Sequence, residues 1–149
     1  MRYEALWLSA LAGDLDAWRV DGKGCLALVI ILDQFPLNMF RGQAKSFSSE
    51  RKAVEIAWHA IKQNLDQALE KEYRAFLYMP FMHSEFMAEQ DLSVKLYREN
   101  QLDENLKFAE HHRNIVKQFG RFPHRNKILG RTSTDEEIKY LESADGYKG

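Results

Sequence analysis

Three separate stretches of this sequence bring acidic, imidazole or guanidinium side chains next to prolines and glycines. The first runs from residue 32 to residue 42 and places Asp33 and Gln34 directly after an apolar run. A charge in that position is costly unless it is paired, and Arg41 is a plausible partner for Asp33. This stretch therefore indicates either a ligand site or an ion pair that fixes a turn.

The second stretch covers residues 78 to 85 and contains His83 and Glu85, two positions apart. On a regular helix these side chains would point to different faces, but a break at Pro80 would allow both to reach one cavity. A histidine beside a carboxylate suits general acid–base chemistry, or metal binding if a further ligand converges. The structural alternative is a helix start capped by Ser84, with Glu85 in its first turn.

The third stretch joins His112 to a loop that is rich in arginine, between residues 120 and 131. Arginine presents a planar fork of donors that binds carboxylate or phosphate groups. We expect Phe122 and Pro123 to anchor this loop in the core and hold its donors rigid. The loop is equally typical of a structural clasp, with its arginines paired to Asp33, to Glu85 or to helix carbonyls.

The composition limits the class of protein. The chain has 149 residues, which predicts one domain over 1–149, and its net charge of −1 argues against a nucleic-acid partner. A single cysteine excludes an internal disulfide and favours a cytoplasmic location. The longest apolar run, Cys25 to Leu32, is too short to span a bilayer, so no membrane partner is expected.

Only 8 Gly and 3 Pro interrupt the chain, and apolar residues recur at helical spacing. The pattern predicts an all-α fold, an antiparallel array of about six or seven helices with short loops. Residues 24–35 are predicted to form a buried helix that ends at Pro36. Ser48 or Ser49 is expected to cap the next helix, and Thr134 with Glu137 to form a capping box. The tail, residues 143–149, is expected to be frayed.

Four motifs together resemble a known family. They are Leu32 to Pro36, Phe40 to Gly42, Pro80 to Glu85, and Phe119 to Asn126 followed by Leu129 to Arg131. In order and spacing they resemble the mostly bacterial family catalogued as domain of unknown function 924, over residues 24–141. The resemblance implies a tetratricopeptide-like array of helical hairpins, and no agreed activity comes with it.

The resemblance also implies a polar signature and two departures from it. The signature falls on Asp33, Gln34, Asn38, Arg41, His83, Glu85, Gln90, His112, Arg121, His124, Arg125, Asn126 and Arg131. The family usually has arginine where this chain has Leu37, so one cationic donor is missing. It also usually carries an aromatic-rich segment upstream of the first residue here. Loss of that segment would uncover an apolar face through which a homodimer could form.

Three hypotheses for function follow from these residues. The first is a binding module for an anionic small molecule or an acidic peptide, with ligand-binding residues Arg41, Gln34, Asn38, Gln90, Arg121, Arg125, Asn126 and Arg131. The second is an acid–base or metal-assisted hydrolase, with catalytic candidates His83, Glu85, His112, His124 and Asp33. The third is a purely structural buried network. We favour the binding module, and no cofactor or metal ion is predicted for it.

Overall fold

A computed structural model describes residues 2–149, and every regular element in that range is helical, which confirms the all-α prediction. The α-helices are α1 (Arg2–Ala12), α2 (Gly22–Val29), α3 (Phe35–Met39), α4 (Glu50–Lys62), α5 (Lys71–Leu77), α6 (Met79–Met82), α7 (Met87–Glu99), α8 (Asp103–Phe119), α9 (Asn126–Leu129) and α10 (Asp135–Glu142). Short 3₁₀ turns at Asp16–Val20, Ala44–Phe47, Asp66–Ala68 and Pro123–Arg125 connect some of them. The helical segments outnumber the six or seven predicted, because several are single turns.

The prediction that a helix ends at Pro36 is wrong. A π-helical turn, Ile30–Gln34, joins α2 to α3, and Pro36 lies in the first turn of α3, where its missing N–H is tolerated. The N–H of Phe35 bonds to the carbonyl of Ile30, five residues back. Such π-turns are frequent at functional sites, and this one contains Asp33.

The core surrounds α2, which packs against α4 and α5. On α4 the fully buried positions are Ala53, Ile56, Ala57 and Ala60, which follow the spacing of one helical face. Trp58 and Ile61 are partly buried and pack against the core beside this face. Small residues at the centre allow α4 to approach α2 closely, which encloses the apolar run that precedes Asp33.

Several helices end or begin at residues that local backbone rules favour there. Gly13 follows α1 and Gly120 follows α8, both with positive φ, and Asn64 after α4 has φ 58°. The capping box is present at α10, where Thr134 Oγ1 accepts from the N–H of Glu137. Ser49 precedes α4 but does not cap it with its side chain. It instead accepts from Trp7 Nε1 and donates to the Leu32 carbonyl, which ties α1 to the π-turn.

A second, smaller apolar cluster lies at the C-terminal end of α8 and contains Ile115, Val116 and Phe122. Phe122 is 1% exposed, so the prediction that it anchors the arginine-rich loop is confirmed. Helices α7 and α8 pack along each other. The arginine-rich loop that follows α8 lies near the π-turn, since residues of both line one cavity. Within residues 2–149, no helix is both long enough and apolar enough to cross a membrane.

Candidate functional site

A cavity of about 270 Å³ lies where the three predicted stretches meet. Its walls come from the end of the π-turn and α3, from the 3₁₀ turn Ala44–Phe47, from the end of α6, from α8, from the loop that follows α8, and from the C-terminal tail. Seven of the predicted site residues line it: Gln34, Asn38, Arg41, His83, His112, His124 and Arg125. Asp33, directly behind His83, completes the set. Leu37, the departure from the family pattern, also lines the cavity.

His83 and Asp33 form a hydrogen-bonded pair at this cavity. The Nδ1 atom of His83 lies 3.0 Å from both carboxylate oxygens of Asp33, and Gln34 Nε2 donates to Oδ2 of the same carboxylate. A carboxylate only accepts, so Nδ1 carries the proton and Nε2 is left for another partner. Burial lowers the pKa of His83, but the charge and hydrogen bonds of Asp33 raise it, and the pKa ends above its ordinary value.

Arg125 fixes the loop against this pair. The side chain is buried, and its guanidinium donates to both carboxylate oxygens of Glu50 and to the main-chain carbonyl of His83. It also lies over the rings of Phe47 and Phe122, at 4.2 and 4.9 Å from their centroids. Burial raises the pKa of Glu50, although the charge of Arg125 opposes the shift. Because Glu50 already compensates the charge of Arg125, the main role of this side chain is to stabilise the cavity wall. It offers little uncompensated charge to a ligand.

Of the two arginines that line the cavity, Arg41 makes fewer hydrogen bonds than Arg125. The prediction that it pairs with Asp33 is wrong, because His83 and Gln34 occupy that carboxylate. Arg41 is exposed, and its one hydrogen bond within residues 2–149 goes to Asn38 Oδ1 at 3.3 Å. Asn38 in turn donates to the main-chain carbonyl of Gln34, and all three polar side chains line the cavity.

His112 and His124 also line the cavity. The Nδ1–H of His112 donates to the Phe108 carbonyl at 2.7 Å, and burial lowers the pKa of His112 to about 4. Burial and the charge of Arg125 lower the pKa of His124 to about 4 as well. Both rings are therefore neutral at pH 7.

Glu85 and its partners lie outside the cavity, in a network that supports it. Arg131 donates to both carboxylate oxygens of Glu85 at 2.9 Å, and the N–H of Phe122 donates to Oε2. Asn126 accepts from Arg131 Nε, and Gln90 donates to three main-chain carbonyls around residues 81–84. The structure therefore separates Glu85, Gln90 and Asn126 from the seven cavity residues.

Arg121 is placed at the start of α10. Its guanidinium donates twice to Glu137, at 2.8 and 2.9 Å, and once to the Thr132 carbonyl. These hydrogen bonds, with those of the capping box, lower the pKa of Glu137 to about 2. Arg121 and Arg131 thus act as a clasp for the loop, which is the structural alternative that the sequence left open.

Two residues that contribute to the site could not be predicted from the sequence. Glu50, the partner of Arg125, lies 75 residues away from it in the chain. Tyr147 lies in the predicted frayed tail, yet its ring packs against His112 and His124. No group of three or more His, Cys, Asp or Glu side chains within residues 2–149 is arranged to hold a metal ion.

Comparisons with known proteins agree with the motifs. A family model described as bacterial protein of unknown function (DUF924) matches residues 1–145. A solved structure of a protein of unknown function from Agrobacterium tumefaciens is 42% identical, with a TM-score of 0.90. The match covers 95% of this chain and 80% of that one. A search of curated proteins gives no significant match. The chain belongs to the DUF924 family.

Proposed function

We propose that the cavity binds a small anionic molecule, with Arg41 and His83 as its principal donors. One observation carries this proposal. Both side chains line the same cavity, and within residues 2–149 neither His83 Nε2 nor Arg41 Nε has a hydrogen-bond partner. Asp33 biases His83 towards its protonated form, in which Nε2 is a charged donor. Gln34 and Asn38 add neutral polar groups that would orient the ligand.

The size of the cavity supports a small molecule. Its 270 Å³ lies just below the roughly 300–1,000 Å³ that is typical of ligand pockets. A carboxylate or phosphate carried on a compact body suits this volume. An acidic peptide is the alternative ligand, and a tetratricopeptide-like array of helical hairpins would favour it. A peptide would need an open surface, whereas the unpaired nitrogen atoms of Arg41 and His83 line a cavity.

Isothermal titration calorimetry with inorganic phosphate and with acetate tests the proposal. We expect the wild type to bind at least one of them, and Arg41→Ala to weaken that binding by about tenfold, the usual effect of removing a charged donor. Arg98→Ala is the matched control, because Arg98 is an exposed arginine that pairs with Glu110 and does not line the cavity. Equal binding by the two variants, or no binding by the wild type, would contradict the proposal.

An acid–base enzyme is the second candidate. It is favoured by the fact that His83, His112 and His124 line one cavity and that Asp33 lies behind His83. In such an enzyme His83 Nε2 would exchange a proton with water or substrate, and Asp33 would stabilise the imidazolium. A panel of nitrophenyl phosphate and carboxylate esters provides the test. Turnover that His83→Gln abolishes would support this candidate, whereas binding without turnover would contradict it.

A further inference from the structure

Two chemically different sets of side chains line the cavity. Arg41 and His83 form the first set, and each has a side-chain nitrogen without a hydrogen-bond partner within residues 2–149. Phe122, His112 and His124 form the second set, in which Phe122 lies 5.6 Å from His112 and 5.7 Å from His124, between ring centroids. An anion would be stabilised by the first set, while an uncharged flat ring would pack well against the second.

The position of Tyr147 shows that the second set of side chains accepts an aromatic ring. Its centroid lies 4.9 Å from that of His112 and 4.8 Å from that of His124, and both pairs are edge-to-face. The ring of His111 approaches it from a third direction, at 5.8 Å. These separations lie in the range that aromatic pairs prefer, so this place is shaped for a ring. We call it the aromatic slot, formed by His111, His112, Phe122 and His124.

Tyr147 does not satisfy the polar groups of the aromatic slot. Its hydroxyl lies 3.3 Å from His112 Nε2, which is long for a bond that a hydroxyl donates. His124 Nδ1 is buried and has no hydrogen-bond partner within residues 2–149. A buried nitrogen without a partner is unfavourable, and a ligand with a better placed polar group would supply one.

Apart from the ring of Tyr147, a few hydrogen bonds hold the tail: Lys148 Nζ donates to the Leu141 carbonyl, and the Gly146 N–H donates to the Ser143 carbonyl. The residues on either side of the Gly146–Tyr147 pair are exposed, and the Tyr147 main-chain N–H donates to the Tyr140 hydroxyl at 3.0 Å. Displacing the ring would therefore leave α10 and the rest of the core in place. Lys148 and Gly149 also line the cavity, so movement of the tail would enlarge it.

We infer that the ligand carries both an anionic group and an aromatic ring, and that Tyr147 occupies the place of that ring when no ligand is bound. This inference rests on the proposed anion site and extends it by naming the class of ligand. The anionic group binds between Arg41 and His83, and the ring enters the aromatic slot. Aryl phosphates and aromatic carboxylates have this combination.

Calorimetry with methyl phosphate and phenyl phosphate tests this inference, because the two probes share their anionic group and differ in the ring. In Tyr147→Ala, where the slot is vacant, we expect phenyl phosphate to bind about tenfold more tightly than methyl phosphate, in line with aromatic pair energies. In the wild type the preference should be smaller, since the ring must displace Tyr147. Tyr73→Ala is the matched control, an exposed tyrosine on α5 outside the cavity.

Hydrogen exchange on the wild type gives a second measurement that does not depend on the variant folding. Phenyl phosphate should speed amide exchange in residues 143–149, and methyl phosphate should not. Equal affinities of the two probes for Tyr147→Ala, with methyl phosphate still bound, would overturn the inference and leave the anion site standing. If neither probe binds to any variant, and inorganic phosphate and acetate do not bind either, both the inference and the proposed function fail.

Discussion

His83 Nδ1 lies 3.0 Å from each carboxylate oxygen of Asp33, although fifty positions separate the two residues in the chain. Asp33 is 4% exposed, so this carboxylate needs a partner. The π-turn directs Asp33 towards the end of α6, where His83 is the first residue after the helix. The pair connects the core to the cavity, and its protonation state controls whether Nε2 donates.

Replacing Asp33 with asparagine should lower the pKa of His83. Burial alone lowers this pKa, and the charge and hydrogen bonds of Asp33 are what raise it above the ordinary value. Because the pKa is raised in the folded state, the pair stabilises the protein fully below the ordinary histidine pKa, and this contribution is lost as the pH rises through the raised value. An NMR titration of His83 in the wild type and in Asp33→Asn measures the shift.

The matched control for that titration is Asp91→Asn, since Asp91 is an exposed aspartate that pairs with Arg113. It should leave the titration of His83 unchanged. An unchanged pKa of His83 in Asp33→Asn would show that Asp33 does not hold the proton on this ring.

Replacing Arg125 with alanine should reduce the free energy of unfolding by about 3–5 kcal/mol, the usual cost of breaking a buried ion pair. It would leave Glu50 and the His83 carbonyl without their donor. Arg41→Ala should change stability by less than about 0.5 kcal/mol, because Arg41 is exposed and bonds to Asn38 alone within residues 2–149. Urea denaturation measures the free energy of unfolding of both variants. An equal loss of stability in the two would contradict the view that Arg125 is structural and Arg41 is free to bind a ligand.

Replacing Glu85 with glutamine should destabilise the protein by about 1–3 kcal/mol at pH 7, because Arg131 and the Phe122 N–H lose a charged acceptor. Burial raises the pKa of Glu85, but the hydrogen bonds from Arg131 and Phe122 lower it below its ordinary value overall. The stabilisation is therefore present above the ordinary glutamate pKa and is lost as the pH falls through the lowered value.

The difference in unfolding free energy between wild type and Glu85→Gln should accordingly shrink in acid. Glu104→Gln is the control, since Glu104 is 84% exposed and pairs only with Lys107 within residues 2–149. It should have little effect at either pH. A difference that stays constant from pH 7 to pH 3 would mean that the charge of Glu85 does not matter.

Replacing Thr134 with alanine should cost about 1 kcal/mol, since the N–H of Glu137 then loses its acceptor at the start of α10. The loss should be local, so hydrogen exchange should speed in residues 135–142 before the core is affected. Thr132→Ala serves as the control, because only the main chain of Thr132 takes part in the clasp, through its carbonyl. Uniform faster exchange across the whole chain would argue that α10 is not an independent unit.

The sequence correctly indicated which polar residues lie near one another. It was less successful in predicting the local backbone geometry that brings them together. It singled out Asp33, His83 and His124, and these do meet at one cavity. It placed a helix end at Pro36, because the restriction that proline imposes on its predecessor suggests a stop. The chain continues instead, because a π-turn places Pro36 where no N–H is required. Propensity rules describe single residues, and they miss an inserted residue that shifts the whole register.

The sequence by itself determined the helical class, the capping box at Thr134, the anchoring of Phe122 and the family, because each depends on local spacing or on ordered motifs. Only the tertiary structure decided which charges pair. In the folded protein Asp33 pairs with His83 and Glu50 pairs with Arg125, while Arg41 has no acidic partner within residues 2–149. These pairings join residues that are far apart in the chain, and several arginines compete for a few carboxylates. Distance and burial in the folded protein select among them, and neither quantity can be read from residue order.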